Sequence, residues 1–369
     1  MLRLISSLNL LLLLSASANF FAQDWPLWKS YAAGFMDNQI RVIDHDAGDR
    51  TTSEGQAYAM FFALVANDRP RFDGLLRWTE QNLASGDLSK NLPAWLWGRR
   101  QGERWGVLDS NPAADADVWM AYTLLEAGRD WNEPRYTRVG KALAKHIAAD
   151  EVAVVPGLGT ALLPAPKGFH QRDAFRLNAS YVPLQLLAGL GHILPDGPWH
   201  QIAASVPTLI KRSAPHGFAM DWIEFDKGGS AVPSAVGSYD AIRVYLWAGM
   251  LDSATADRET LLGSLSGMRE YLRANDRPPA KVKPDGNVED PRGPVGFSAA
   301  LLPYLSAVGE TDLRNRQMNR VQSEFDAPRG LYGKPAKYYD QNLLLFALGS
   351  AERRFWFDSQ GELKTSWKP

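Results

Sequence analysis

Apolar residues recur at steps of three and four along most of this chain. Over 25–43, Trp28, Ala32, Phe35, Met36, Ile40 and Ile43 fall on one helical face. A polar turn covers 44–50, and Ser53 then stands as a cap ahead of a second helix over 54–66. The same period predicts helices over 69–83, 115–129, 134–149, 180–190, 199–211, 239–250, 258–274, 297–308, 312–325 and 339–347. Two stretches break the pattern. Residues 85–109 read as a loop rich in rings, with Trp95, Trp97 and Trp105. Residues 152–167 carry β-branched side chains with Pro156, Gly157, Gly159, Pro164 and Pro166, which predicts a short β-hairpin.

About twelve helices, each with one face to bury, predict an all-α chain. A closed double ring of helix pairs, the (α/α)6 barrel with a short β-hairpin insertion, suits that count. A two-domain helical array fits the same elements, because no clean repeat is visible. No composition shift marks a linker, so one domain over 23–369 is expected. The first residues read differently. Arg3 precedes an apolar run over 4–14, followed by Ser15, Ala16, Ser17 and Ala18. That order predicts a secretory signal peptide over 1–18, cleaved after Ala18 or Ala22. No later segment reaches about 18 uninterrupted apolar residues. The mature chain is therefore expected to lack a membrane span and to be periplasmic or secreted.

Composition narrows the chemistry. Lysine plus arginine number 40 and aspartate plus glutamate 41, so the formal net charge is −1. Nucleic-acid binders carry a basic excess that this chain lacks, and no nucleic-acid partner is expected. Cysteine is absent, which removes disulfides, thiolate metal sites and cysteine nucleophiles. His45, His146, His170, His192, His200 and His216 form no metal-binding spacing. Neither a Gly-x-Ser-x-Gly elbow nor a phosphate-binding glycine loop occurs, so no metal and no cofactor are expected. The 13 tryptophans exceed ordinary usage; core filling explains most, and a flat platform for sugar rings explains a surplus.

Three carboxylates stand at predicted helix starts. Glu54 precedes a glycine that lets another group approach closely. Asp115 and Asp117 open an apolar helix, yet a helix needs one cap, and a second carboxylate two residues on points away from the first. Asp240 follows Gly237, Ser238 and Tyr239 and stands three residues before Arg243. Capping or i, i+3 pairing accounts for each one alone. Together with abundant aromatics they suggest glycoside hydrolysis, which needs a proton donor and a base or nucleophile on opposite sides of an acetal.

The segment Asp115-Ala116-Asp117-Val118-Trp119-Met120-Ala121, followed by Leu124-Leu125-Glu126-Ala127 and Trp131, resembles the signature of the family-8 glycoside hydrolases. It departs at Ala114, where serine or threonine is usual, and at Thr123, where serine or alanine is usual. Ser53-Glu54-Gly55-Gln56-Ala57-Tyr58 resembles the family's segment around its acid, and Ser238-Tyr239-Asp240-Ala241-Ile242-Arg243 the segment around its base. The resemblance is closer still to the subgroup of cellulases encoded with bacterial cellulose synthase. It rests there on the segments 92–98, 155–159 and 293–300.

The resemblance implies an (α/α)6 barrel hydrolysing β-1,4-glucan with inversion, cellulose or cello-oligosaccharide as substrate, and a functional link to a cellulose synthase complex. It implies Glu54 as general acid, Asp240 as the base that activates water, and Asp115 gripping the distorted sugar. Inversion would place the two working carboxyls roughly 6.5–9.5 Å apart. Arg243 and Tyr239 are expected to orient Asp240 or the water. Trp95, Tyr181 and Tyr338 are candidate stacking platforms, with core packing as the competing role, and Asp117 is expected to hold either a loop or the sugar. Two other classes remain open: a polysaccharide lyase on a similar toroid, and a non-catalytic glycan-binding protein guiding exported polymer. The lyase lacks its expected basic cluster, and the binding protein leaves three carboxylates at three helix mouths without a purpose.

Overall fold

A computed structural model describes residues 24–100, 102, 104–171 and 174–368. The segment expected to be a signal peptide, with its expected cleavage site, lies outside the described residues. Thirteen α-helices are present among them. Six are enclosed on nearly every side: α2 (Ser53–Val65), α4 (Ala114–Asp130), α6 (Leu184–Ile193), α8 (Ala241–Gly249), α11 (Val295–Ala307) and α13 (Tyr338–Ala351). The others bury one face and wet the other: α1 (Pro26–Phe35), α3 (Arg69–Asn82), α5 (Pro134–Asp150), α7 (Trp199–Ser213), α9 (Arg258–Ser264), α10 (Ser266–Ala274) and α12 (Thr311–Ser323). This division follows from sequence. A helix such as α11, with Phe297, Ala299, Ala300, Leu301, Leu302 and Leu305, has no polar side to offer solvent and must sit inside. Helix α12 is stripe-like, burying only Leu313, Gln317 and Val321.

Each inner helix packs on the outer helix next to it in sequence, and α1 closes the outer ring against α13. The result is the (α/α)6 barrel. Phe346 of α13 plugs its axis, with ring centroids 4.6 Å from Phe62, 5.2 Å from Tyr58 and 5.0 Å from both Trp119 and Trp247. The far end is sealed by a terminal hairpin, Phe355–Phe357 with Leu363–Thr365. Phe357 stacks on Phe61 and Phe355 meets it edge-on, and the Trp367 indole donates to the Leu64 carbonyl. No helix among the described residues is long and apolar enough to cross a membrane.

The predicted hairpin is present as Val152–Val155 paired with Gly159–Leu162. Strand content is otherwise underestimated by the periodicity. Within 85–109, Leu96–Arg99 pairs with Trp105–Asp109 and with Thr51–Thr52. A four-stranded sheet runs through His170–Gln171, Ala174–Leu177, Ile223–Asp226 and Ala231–Pro233. The first helix stops at Phe35 rather than 43. Asp37 accepts the backbone N–H groups of Gln39 and Arg41, Ile40 turns to φ 62°, and the Ile43 N–H returns to the Phe35 carbonyl. Local side-chain bonds have outcompeted the helix there. The helix expected over 180–190 begins only after Pro183, with a short 3-10 turn at Ala179–Tyr181 ahead of it.

Candidate active site

The inner helices run parallel, so their N-termini gather at the open end of the barrel. Glu54 lies in the first turn of α2, Asp115 in the first turn of α4, and Asp240 at the N-cap of α8. Helix starts carry free N–H groups and a partial positive charge, which is where a carboxylate is best tolerated.

Arg243 joins these elements. Its Nη1 donates to Asp115 Oδ2 at 2.8 Å and to the Tyr58 hydroxyl at 2.8 Å. Its Nη2 donates to Asp240 Oδ1 at 2.8 Å and to Ser180 Oγ at 3.0 Å. One buried guanidinium thus fixes α2, α4, the 179–181 turn and α8 in register, which a lysine's point charge cannot do. Asp240 receives a second bond, from Asn178 Nδ2 to Oδ2 at 3.0 Å. The Asn178 carbonyl oxygen accepts the Ser180 N–H and hydroxyl, so its amide nitrogen has to face Asp240. Asp221 supports the segment that carries Asp240 into α8: its Oδ1 accepts the N–H groups of Ser238 and Ala241, each at 2.8 Å. Burial and the Asp240 charge push the Asp221 carboxyl up to about 6.

Glu54 is half-buried, with Oε2 enclosed and without a partner among the described residues, while Oε1 accepts the Trp95 indole N–H at 3.2 Å. Burial, then the Asp115 charge, push its carboxyl to about 8, against the pull of its backbone hydrogen bond, Arg243 and Trp95. A carboxyl so placed is a proton donor at neutral pH. Asp115 is 1 % exposed; its Oδ1 accepts the Ala116 N–H at 2.8 Å. Burial raises the Asp115 carboxyl and the Asp240 charge adds to this, while Arg243 opposes it.

Gly55 has a specific purpose. A Cβ there would overlap the hydroxyl of Tyr338, which reaches across from the start of α13. Tyr338 itself is buried, its ring tilted 6.2 Å from Phe35, so it offers no open face for stacking. Asp117, expected to hold either a loop or the sugar, lies inside. It is fully buried, because two residues along a helix turns a side chain to the opposite side. Tyr239 is 47 % exposed and packs edge-on against Phe297 and Tyr339, while Asp240 takes its hydrogen bonds from Arg243 and Asn178. Trp95 and Tyr181 are half-buried beside the carboxylates; the Arg243 guanidinium lies 5.6 Å from the Tyr181 ring centroid. Sequence reasoning passed over Asn178, Ser180, Tyr58 and Asp221 as site residues. Asn178 and Ser180 adjoin Tyr181 in a quoted motif, but nothing in spacing tied them to Asp240.

The model of glycosyl hydrolases family 8 matches residues 1–353. The chain belongs to that family. It is 43% identical over 367 residues to an endoglucanase of Escherichia coli K12, covering 98% of this chain and 96% of that one. It is 44% identical over 348 residues to an endoglucanase of Xanthomonas axonopodis pv. citri, covering 93% and 90%. Its fold superposes on the endo-1,4-D-glucanase of Vibrio fischeri with a TM-score of 0.87 at 41% identity, covering 93% of this chain and 99% of that structure. This family-8 protein is a glycoside hydrolase.

Proposed function

We propose that this enzyme is an endo-β-1,4-glucanase, a cellulase that hydrolyses with inversion. The observation that carries the reading is the contrast at the barrel mouth. Glu54 is enclosed and holds its proton to about pH 8, whereas Asp240, with a side chain 31 % exposed, is held as an acceptor by Arg243 and Asn178. Glu54 protonates the glycosidic oxygen as the bond to the anomeric carbon breaks. Asp240 takes a proton from the water that attacks the opposite face. Asp115 keeps lone pairs beside Arg243 for hydroxyls of the strained ring, and Trp95 and Tyr181 flank that ring. Near full-length kinship with endoglucanases supports glucan as substrate. The predicted signal peptide supports export, and the subgroup resemblance supports a role beside cellulose synthesis. Proton NMR of a cleaved β-linked oligosaccharide tests the mechanism. The α-anomer is expected first; a β-anomer appearing first would require a covalent intermediate on an aspartate.

A further inference from the structure

Where α4 packs on the end of α5 lies a pair of carboxyls that the proposed reaction does not use. Asp117, two residues beyond Asp115 on α4, and Glu151, at the end of α5, are both fully buried. None of their four oxygens accepts an N–H or hydroxyl proton from the described residues. Each instead has the other carboxyl as its hydrogen-bond partner. Two carboxylates cannot bond to each other; one must supply an O–H. The groups facing the pair are Asp115 of α4, Glu54 of α2 and Asp150 of α5, all acidic. Arg243, the buried cation of the site, is spent on Asp115 and Asp240. On the other side, Glu54 faces Asp115, Arg243 and Trp95, with Tyr338 of α13 alongside.

We propose that Asp117 and Glu151 share a buried proton and act as positioning residues that keep the proton on Glu54. The proposal rests on the reading of Glu54 as general acid. A buried acid pair is an expensive way to fill space, since amides or apolar side chains of the same size hold the helices with less desolvation. Its placement has an electrostatic consequence. The pair can lose one proton, but a second loss would set two charges side by side in an apolar shell. Burial brings Glu151 to about 8 and lifts Asp117 well above its ordinary range. As the pair becomes anionic over the range where Glu54 would ionise, it repels the charge forming there. Glu54 then stays protonated to higher pH than Asp115 alone would enforce.

The test is the double variant Asp117→Asn/Glu151→Gln, which keeps a side-chain hydrogen bond and removes the charge at every pH. The basic limb of kcat/KM on a soluble cello-oligosaccharide should move to lower pH by about half to one unit and steepen toward a single proton. A purely structural pair would change stability and leave the limb where it was, and that result overturns the proposal. Infrared spectroscopy of the Glu54→Gln protein gives a second readout that needs no change at the pair. A protonated-carboxyl carbonyl band should persist at about pH 9, because the shared proton resists removal; its absence also overturns the proposal. Failure of the underlying reading looks different: Glu54→Gln would then turn over substrate normally, whatever the pair does.

Discussion

Replacing Glu54 with glutamine should abolish hydrolysis and stabilise the protein, and the second effect has a calculable pH dependence. The folded chain holds this carboxyl at about 8, against an ordinary 4.5. Between those values the unfolded chain releases a proton that the folded chain keeps, so the fold loses stability as pH rises from 4.5 and the loss levels off above about 8. At 1.36 kcal/mol per pH unit, the wild-type side chain costs on the order of 3 kcal/mol at pH 7 and about 5 kcal/mol above pH 8, relative to acid conditions. Glutamine does not titrate, so the variant escapes this term. It still carries an enclosed amide with an unfilled hydrogen bond, costing about 1–3 kcal/mol, but that cost is the same at every pH. The assay is urea or thermal unfolding of both proteins from pH 4 to 8. The variant's stability relative to wild type should climb by about 3 kcal/mol between pH 4 and 7. Activity on carboxymethylcellulose should fall by ~10²–10⁴-fold or more over the same range. A pH-independent stability difference would refute the argument from burial, and wild-type-like turnover would remove Glu54 from the reaction.

Two further outcomes follow from the geometry around Asp240 and Arg243. Asp240→Ala should lose turnover and regain part of it with azide or formate, giving an inverted glycosyl azide with the former, whereas Asp115→Ala should lose mainly kcat with no rescue; the reverse pattern would exchange the roles of the two aspartates. Arg243→Lys cannot make four bonds to Tyr58, Asp115, Ser180 and Asp240, and should destabilise the fold by about 3–5 kcal/mol while lowering kcat, both read from one preparation by unfolding and by reducing-end release; wild-type stability would show the fork to be dispensable.

The helical ring was legible because its signal is periodic. Inner helices such as α11 have no polar face, outer ones are striped, and the alternation between them is the barrel. The strands were less legible. Leu96–Arg99 and Trp105–Asp109 are short and half-exposed, and their tryptophans belong to a ladder in which Trp97 stacks on Trp105 with centroids 5.0 Å apart. No period emerges from four or five such residues. At the site, motif spacing singled out Glu54, Asp115, Asp240 and Arg243, each of which lies at the start of an inner helix. Spacing could not distinguish a ring facing the opening from one facing the core, which is why both roles stayed open for Tyr338, a ring that the fold buries. Asp117 was half legible: its i, i+2 offset already directed it away from Asp115, but its partner lies 34 positions on at the end of another helix.

On the proposed assignment, the charge arrangement explains how one barrel end supplies both an acid and an acceptor at the same pH. Six carboxyls converge there, from Glu54, Asp115, Asp117, Glu151, Asp221 and Asp240, and Arg243 is the guanidinium buried among them. Every one of the six sits at or behind a helix end or turn, so backbone position alone does not separate their roles. Donors do. Asp240 takes two side-chain bonds and Asp115 one from the guanidinium and one from the backbone, whereas the side-chain donor to Glu54 is the neutral Trp95 indole and its other oxygen is empty among the described residues. Moving a donor would therefore move the chemistry: a cation placed beside Glu54 Oε2 would lower its proton affinity and strip the enzyme of its acid without touching the helix that carries it.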